Sequence, residues 1–249
     1  MKISQAADDE GILEIGPGIG VLTAALAQDA KKVVAVEIDR DLMPVLDETL
    51  AGFSDIEVVN ADFMKLDIKR FMREKFEGMG VSVAANLPYY ITTPIIMKLL
   101  EERLDLNKIV IMIQKEVADR ILALPGSKDY GALTVAVNFY CAASLVCNVG
   151  RANFTPPPKV DSSVIKLEIY REPPVFVHDE KLFFRLVKSA FAQRRKTLAN
   201  ALKNAGTFGG RDEILNAFAA VGIGDMERGE NFSTKEFAAL ANVFYKYRK

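Results

Sequence analysis

A chain of 249 residues, 50% of them hydrophobic, is long enough for one large domain or for an ordinary domain with a smaller companion, and it can build a packed core without disulfides. It holds no run of about 18 apolar residues to cross a bilayer, and "MKISQAADDEGILEI" lacks the apolar stretch and cleavage site of a signal peptide, so a cytoplasmic protein with no membrane partner is expected. The net charge of −1 argues against a generic nucleic-acid binder, yet residues 1–100 hold 10 Lys/Arg and 16 Asp/Glu, whereas Lys181 to Arg211 carries eight basic residues and no acid.

In chain order, short β-branched apolar runs alternate with amphipathic stretches. Strands are predicted at 11–15, 32–38, 56–60, 81–85 and 108–114, with helices near 20–29, 41–51, 64–77, 93–103 and 115–124. This alternation predicts an α/β fold with a doubly wound, Rossmann-like parallel sheet. After Gly131, "ALTVAVNFYCAASLVCNV" and then "SSVIKLEIY" read as further strands closing the sheet edge. Cys141 and Cys147 fall in the first of these without histidines nearby, so reduced buried thiols are expected and no metal site. "REPPVFVHDE" interrupts the pattern and predicts a boundary between a domain at 1–172 and a small all-α domain at 177–249. In the tail, "KLFFRLVKSAFAQRRKTLANALKNAG", "DEILNAFAAVG" and "STKEFAALANVFYKYRK" have helical period, with Ser233 or Thr234 as a cap and Gly206 and Gly222 as stops.

"LEIGPGIG" (13–20) reads as strand, turn and helix start, with glycines at 16, 18 and 20 that allow positive φ and close approach of a ligand to backbone amides. The dinucleotide pattern G-x-G-x-x-G would need glycine at position 21, where Val21 stands. Glu14 followed by Gly16, Gly18 and Gly20 instead resembles the first motif of methyltransferases that use S-adenosylmethionine. Glu37 closes the second strand where a carboxylate can accept ribose hydroxyls. Asp62, after the third, is placed to accept from an adenine amine. Ile38 and Phe63, next in sequence to these acids, complete the candidate cofactor-binding set together with Asn86.

"AANLPYYITT" puts an amide and rings at the end of the fourth strand, beside that cofactor site. An aromatic amine is a poor nucleophile, because its lone pair is delocalised into the ring. A catalyst must therefore hold its N–H groups with acceptors, a task suited to the Asn86 side-chain oxygen and the Leu87 carbonyl. Pro88 fixes φ, and Tyr89 offers a face for a flipped base. The purely structural alternative is a turn in which Asn and Pro end a strand and the tyrosines pack on it.

"EIGPGIG", "NLPYYITTPI", "YGALTV", "FTPPPKVDSSVI" and "FAQRRKTLANAL" together resemble the small-subunit ribosomal RNA adenine dimethyltransferases of the KsgA type, over nearly the whole chain. The resemblance implies a class I methyltransferase domain at 1–172 and an RNA-contacting helical domain at 177–249. It implies dimethylation of two adjacent adenosines near the 3′ end of small-subunit ribosomal RNA, with S-adenosylmethionine as cofactor and an immature small subunit as partner. Phe154 would pair with Tyr89 to sandwich the flipped base. Lys188, Arg194, Arg195, Lys196 and Lys203, at helical spacings, would track RNA phosphates, with a solvated helix face as the alternative. Macrolide-resistance methyltransferases of large-subunit RNA usually read Asn-Ile-Pro-Tyr at the amine motif, so "NLPYYITTPI" favours the small-subunit branch.

The family also carries a Gln-Asn-Phe-Leu segment upstream of the first strand, and this chain starts after it. The resemblance therefore implies weakened cofactor affinity and little or no turnover here. Two other readings remain open at this level, an assembly factor acting mainly by binding and, less favoured, a DNA adenine methyltransferase. A monomer and no DNA partner are expected.

Overall fold

The computed structural model describes residues 10–247, which divide into two compact units. The first comprises residues up to 118 and 143–169. The chain order is β1 (Gly11–Ile15), α1 (Val21–Leu26), β2 (Lys32–Glu37), α2 (Met43–Thr49), β3 (Ile56–Asn60), α3 (Ile68–Lys75), β4 (Val81–Asn86), α4 (Thr92–Glu101), β5 (Leu106–Gln114), α5 (Lys115–Ile121), α6 (Ala132–Tyr140), β6 (Cys141–Val149) and β7 (Ser162–Ile169). The sheet runs β3-β2-β1-β4-β5-β7-β6, with β1 to β5 parallel and β7 antiparallel to β5. Strands β1, β2 and β4 are buried nearly throughout, which is why they read as continuous apolar runs rather than as alternation. The chain winds outward through β2 and β3, then returns past β1 to β4, so a crevice opens at the carboxyl ends of β1 and β4.

Two sequence expectations are corrected. Residues 132–140 form helix α6, not a strand. Thr134 Oγ1 accepts from the Gly131 N–H at 3.1 Å and donates to the Arg120 carbonyl at 2.6 Å, starting the helix, and most of its residues are buried. A helix covered on most sides shows no amphipathic period, and Val135 and Val137 made it look extended. Residues 141–149 and 162–169 do close that edge of the sheet, with β7 inserted between β5 and β6. Cys141 is buried and Cys147 only partly so, and both are free thiols.

The second correction concerns the helical unit, which comprises 119–142 and 170–247 of the described residues, so that α6 joins it rather than the domain predicted at 1–172. The run predicted as one helix from 181 is two, α7 (Glu180–Ala192) and α8 (Leu198–Ala205), followed by α9 (Arg211–Ala220) and α10 (Thr234–Tyr247). Thr197 caps α8 by accepting from the Asn200 N–H at 3.4 Å, and the Leu198 N–H donates to the Glu227 carbonyl at 2.7 Å, so the chain turns through Gln193–Lys196. Gly206 ends α8 at φ 67°, and Ser233 starts α10 in a reciprocal bond pair with Glu236, both as expected.

The core of this unit is aromatic. Phe139 is fully buried, with ring centroids 5.0 Å from Phe183 and 5.3 Å from Phe184. Phe139→Ala is expected to cost about 3–5 kcal/mol of stability in denaturant unfolding, because rings on two helices cannot collapse into the hole. A cost under ~1 kcal/mol would mean that the site repacks.

Candidate active site

Parallel register brings the sequence motifs to one edge of the sheet. Glu14 pairs with Ala35 on β2 and Ala84 on β4, so the glycine loop after Ile15 lies level with Asn86 one strand away. Glu37 pairs with Asn60, two residues before Asp62. Four loops thus converge on the crevice where β1 and β4 part.

Gly16, Gly18 and Gly20 take φ of 71°, 58° and 88°. A Cβ on Gly16 or Gly18 would meet nothing within 4 Å, which leaves open space for a ligand above the loop, whereas one on Gly20 would press on Leu46 and Leu50. Glu37 is 5% exposed, and its carboxylate accepts the Gly18 N–H at 3.2 Å and the Asp39 N–H at 2.8 Å, tying the loop to β2. Glu14 is 1% exposed, and neither its Oε2 nor the hydroxyl of Thr23 has a well-formed hydrogen bond. Burial pushes the Glu14 carboxyl up to about 7. The nearby Thr23 hydroxyl opposes that shift and the negative charge of Glu37 adds to it. An orphaned, buried carboxyl oxygen beside an open glycine loop suits a ligand that carries a cation and hydrogen-bond donors.

The neighbouring acid is partly occupied. Asp62 accepts the Met64 N–H at 2.9 Å as the cap of a 3-10 turn at Phe63–Lys65, and pairs loosely with Lys65. The Phe63 ring is buried, with the Lys98 ammonium 5.7 Å from its centroid, so its ring is committed to packing. Ile38, by contrast, is 64% exposed beside Glu37, an apolar surface where a ligand ring could lie.

At the end of β4, Asn86 is exposed and neither its side chain nor the Leu87 carbonyl has a hydrogen-bond partner among the described residues. Around them the backbone is committed: the Leu87 N–H donates to the Met112 carbonyl at 3.1 Å, and the Pro88 carbonyl accepts from the Ile91 N–H and the Thr92 hydroxyl. The two free acceptors therefore sit on a fixed loop. Tyr89 is half-buried with its hydroxyl 2.9 Å from Ser162 Oγ on β7, while Tyr90 is 85% exposed. Phe154 is also half-buried, and its ring makes no stacked or edge pair with Tyr89. Thr23, Lys98 and Ser162 escaped the sequence reading, because a threonine, a lysine in an apolar helix and a serine at a strand start carry no local signal.

In the helical unit, Arg194, Arg195 and Lys196 lie in the turn between α7 and α8 instead of on a helix face, with Lys188 on α7 and Lys203 on α8. The Arg194 guanidinium donates to the Lys128 carbonyl at 2.7 Å and to Glu230 at 3.5 Å, so part of its capacity is spent within the fold. Lys188, Arg195, Lys196 and Lys203 are exposed without side-chain partners among the described residues. No helix among those residues is long and apolar enough to cross a membrane.

A family model described as Ribosomal RNA adenine dimethylase matches residues 2–246. Curated relatives named Ribosomal RNA small subunit methyltransferase A include one from Clostridioides difficile (strain 630), 49% identical over 94% of this chain and 81% of that protein. Another, from Geobacillus thermodenitrificans (strain NG80-2), is 51% identical with the same coverage. Among solved structures, a dimethyladenosine transferase from Plasmodium falciparum matches with a TM-score of 0.83 at 29% identity, over 98% of this chain and 93% of its own. The 23S rRNA methyltransferase ErmE matches at 0.71 and 26% identity, over 98% and 94%.

Proposed function

The chain belongs to the ribosomal RNA adenine dimethylase family, and from that premise we propose that it methylates the N6 amines of two adjacent adenosines near the 3′ end of small-subunit ribosomal RNA. S-adenosylmethionine, when bound, supplies an electrophilic methyl group on a sulfonium that departs as a neutral thioether. The chain's own residues bind, align and desolvate. Gly16 and Gly18 leave room for the cofactor, and Glu14 holds its cationic amino-acid end. Glu37 serves the ribose, while Ile38, Asp62 and the Phe63 backbone serve the adenine. The fit is supported by the orphaned Glu14 oxygen and the open space above Gly16 and Gly18.

The observation that carries the target assignment is the pair of unpartnered acceptors at the end of β4. Asn86 Oδ1 and the Leu87 carbonyl accept the two N6 hydrogens, turning the nitrogen lone pair toward the methyl group, and Pro88 keeps the carbonyl in place. Tyr89 and Phe154 hold the flipped base between their faces. With the cofactor bound, each transfer would form an N6–C bond as the methyl–sulfur bond breaks, and N6 would release one proton to water. Two rounds replace both hydrogens. Arg195 and Lys196 with Lys188 and Lys203 meet phosphates of the immature subunit, a contact that weakens as salt rises. We propose a single chain acting in the cytoplasm.

The small-subunit target is favoured over the large because identity is 49–51% to the small-subunit relatives against 26% to the large-subunit enzyme. The test offers radiolabelled cofactor with unmethylated small subunits, large-subunit RNA and duplex DNA in parallel. Label confined to the 3′ hairpin of small-subunit RNA is expected, and label mainly in either alternative would overturn the assignment.

A further inference from the structure

Helix α4 touches both halves of the reaction site. Its first residue, Thr92, donates its hydroxyl to the Pro88 carbonyl at 3.0 Å, fixing the loop that carries Asn86 and Leu87. Two turns on, the Lys98 ammonium donates to the Met64 carbonyl at 2.8 Å and to the Leu66 carbonyl at 2.7 Å, and sits 5.7 Å from the centre of the Phe63 ring. Those carbonyls end a 3-10 turn only three residues long, too short to supply them with its own amides. The same turn begins at Asp62, whose carboxylate caps it. A half-buried lysine inside the apolar helix "TTPIIMKLLE" loses hydration and side-chain freedom there, and it has no carboxylate partner among the described residues. A methionine would fill the same apolar space, so what the ammonium adds is its bonds to the Met64 and Leu66 carbonyls.

We infer that Lys98 is a positioning residue: it holds the turn carrying Asp62 and Phe63 in the shape that receives the cofactor's adenine, and so fixes that turn to the helix that carries the target-amine loop. This rests on the cofactor reading above. Its effect belongs to the adenosine part of the ligand and not to the methionine part, which lies toward the glycine loop and Glu14.

The test titrates the wild type, Lys98→Met and Lys98→Arg with S-adenosylhomocysteine and with 5′-methylthioadenosine, which lacks the amino-acid end, and records the unfolding midpoint of each free protein. Lys98→Met is expected to bind both ligands about tenfold more weakly, because the two charge-assisted hydrogen bonds that shape the turn are lost. Lys98→Arg, which keeps donors, recovers part of that loss. Methyl transfer at saturating cofactor should stay within about threefold of wild type, because the amine acceptors are untouched. Should Lys98→Met fail to fold, Lys98→Gln, shorter and uncharged but still polar, takes its place. Unchanged binding in Lys98→Met, a loss seen with S-adenosylhomocysteine alone, or an equal loss in Lys98→Arg overturns the inference. A wild type that binds neither ligand overturns the cofactor reading itself, and this inference with it.

Discussion

Asn86→Ala is expected to lower methyl transfer at saturating cofactor by about 10²–10³-fold, the loss seen when one placed polar partner of a transition state is removed. The side chain is exposed at the end of β4 and makes no hydrogen bond within the described residues, so its truncation costs the fold little. Its proposed work lies in the reaction. The amine nitrogen must leave the plane of the ring as its lone pair turns toward the methyl group, and an acceptor that rewards this geometry stabilises the transition state more than the ground state. Cofactor affinity should change only a few-fold. Asn86→Asp, which still accepts but adds a charge, should fall between wild type and Asn86→Ala. Single-turnover methylation of unmethylated small subunits reads the effect, and a decrease under about fivefold would remove Asn86 from the chemistry.

The second large effect is a dependence of stability on pH. The Glu14 carboxyl is pushed up to about 7 from its ordinary value of 4.5, chiefly by burial. Between those two values the folded chain keeps a proton that the unfolded chain has released. Stability without cofactor therefore falls as pH rises through that window, by a total of about 3 kcal/mol, and is flat outside it as far as this group is concerned. Glu14→Gln, neutral at every pH, removes the dependence. It should match the wild type near pH 4 and exceed it by about 3 kcal/mol at pH 8, while binding S-adenosylmethionine more weakly because the carboxylate is lost to the ligand's cation. Denaturant unfolding at several pH values, run without cofactor, checks the first part and titration checks the second. A stability difference that does not vary with pH would show that Glu14 titrates as an ordinary carboxyl.

The strands β1 to β5 and the helices between them were legible because their information is local. A β-branched run such as "KVVAVE" ends at an acid, and "EIGPGIG" needs positive φ at fixed positions whatever surrounds it. The order of Glu14, Glu37, Asp62 and Asn86 along the chain likewise placed them at strand ends, which a parallel sheet gathers on one edge. Helix α6 was misread because burial of Val135, Ala136, Val137, Phe139 and Tyr140 erased its period. The break at Gln193 was missed because no glycine or proline marks it. It is set by the Thr197 cap and by the carbonyl of Glu227, 29 residues beyond Leu198.

What the sequence by itself determined is therefore the parallel core, the glycine loop and the identity of the acids and the amide, since each follows from spacing within a few residues. Only the tertiary structure decided how those groups are held. Burial leaves Glu14 Oε2 without a hydrogen-bond partner and raises the proton affinity of the carboxyl, Ser162 anchors Tyr89 from 73 residues away, and Lys98 reaches Met64 across 34. Desolvation and long-range hydrogen bonds depend on which segments pack together, and no local spacing encodes that.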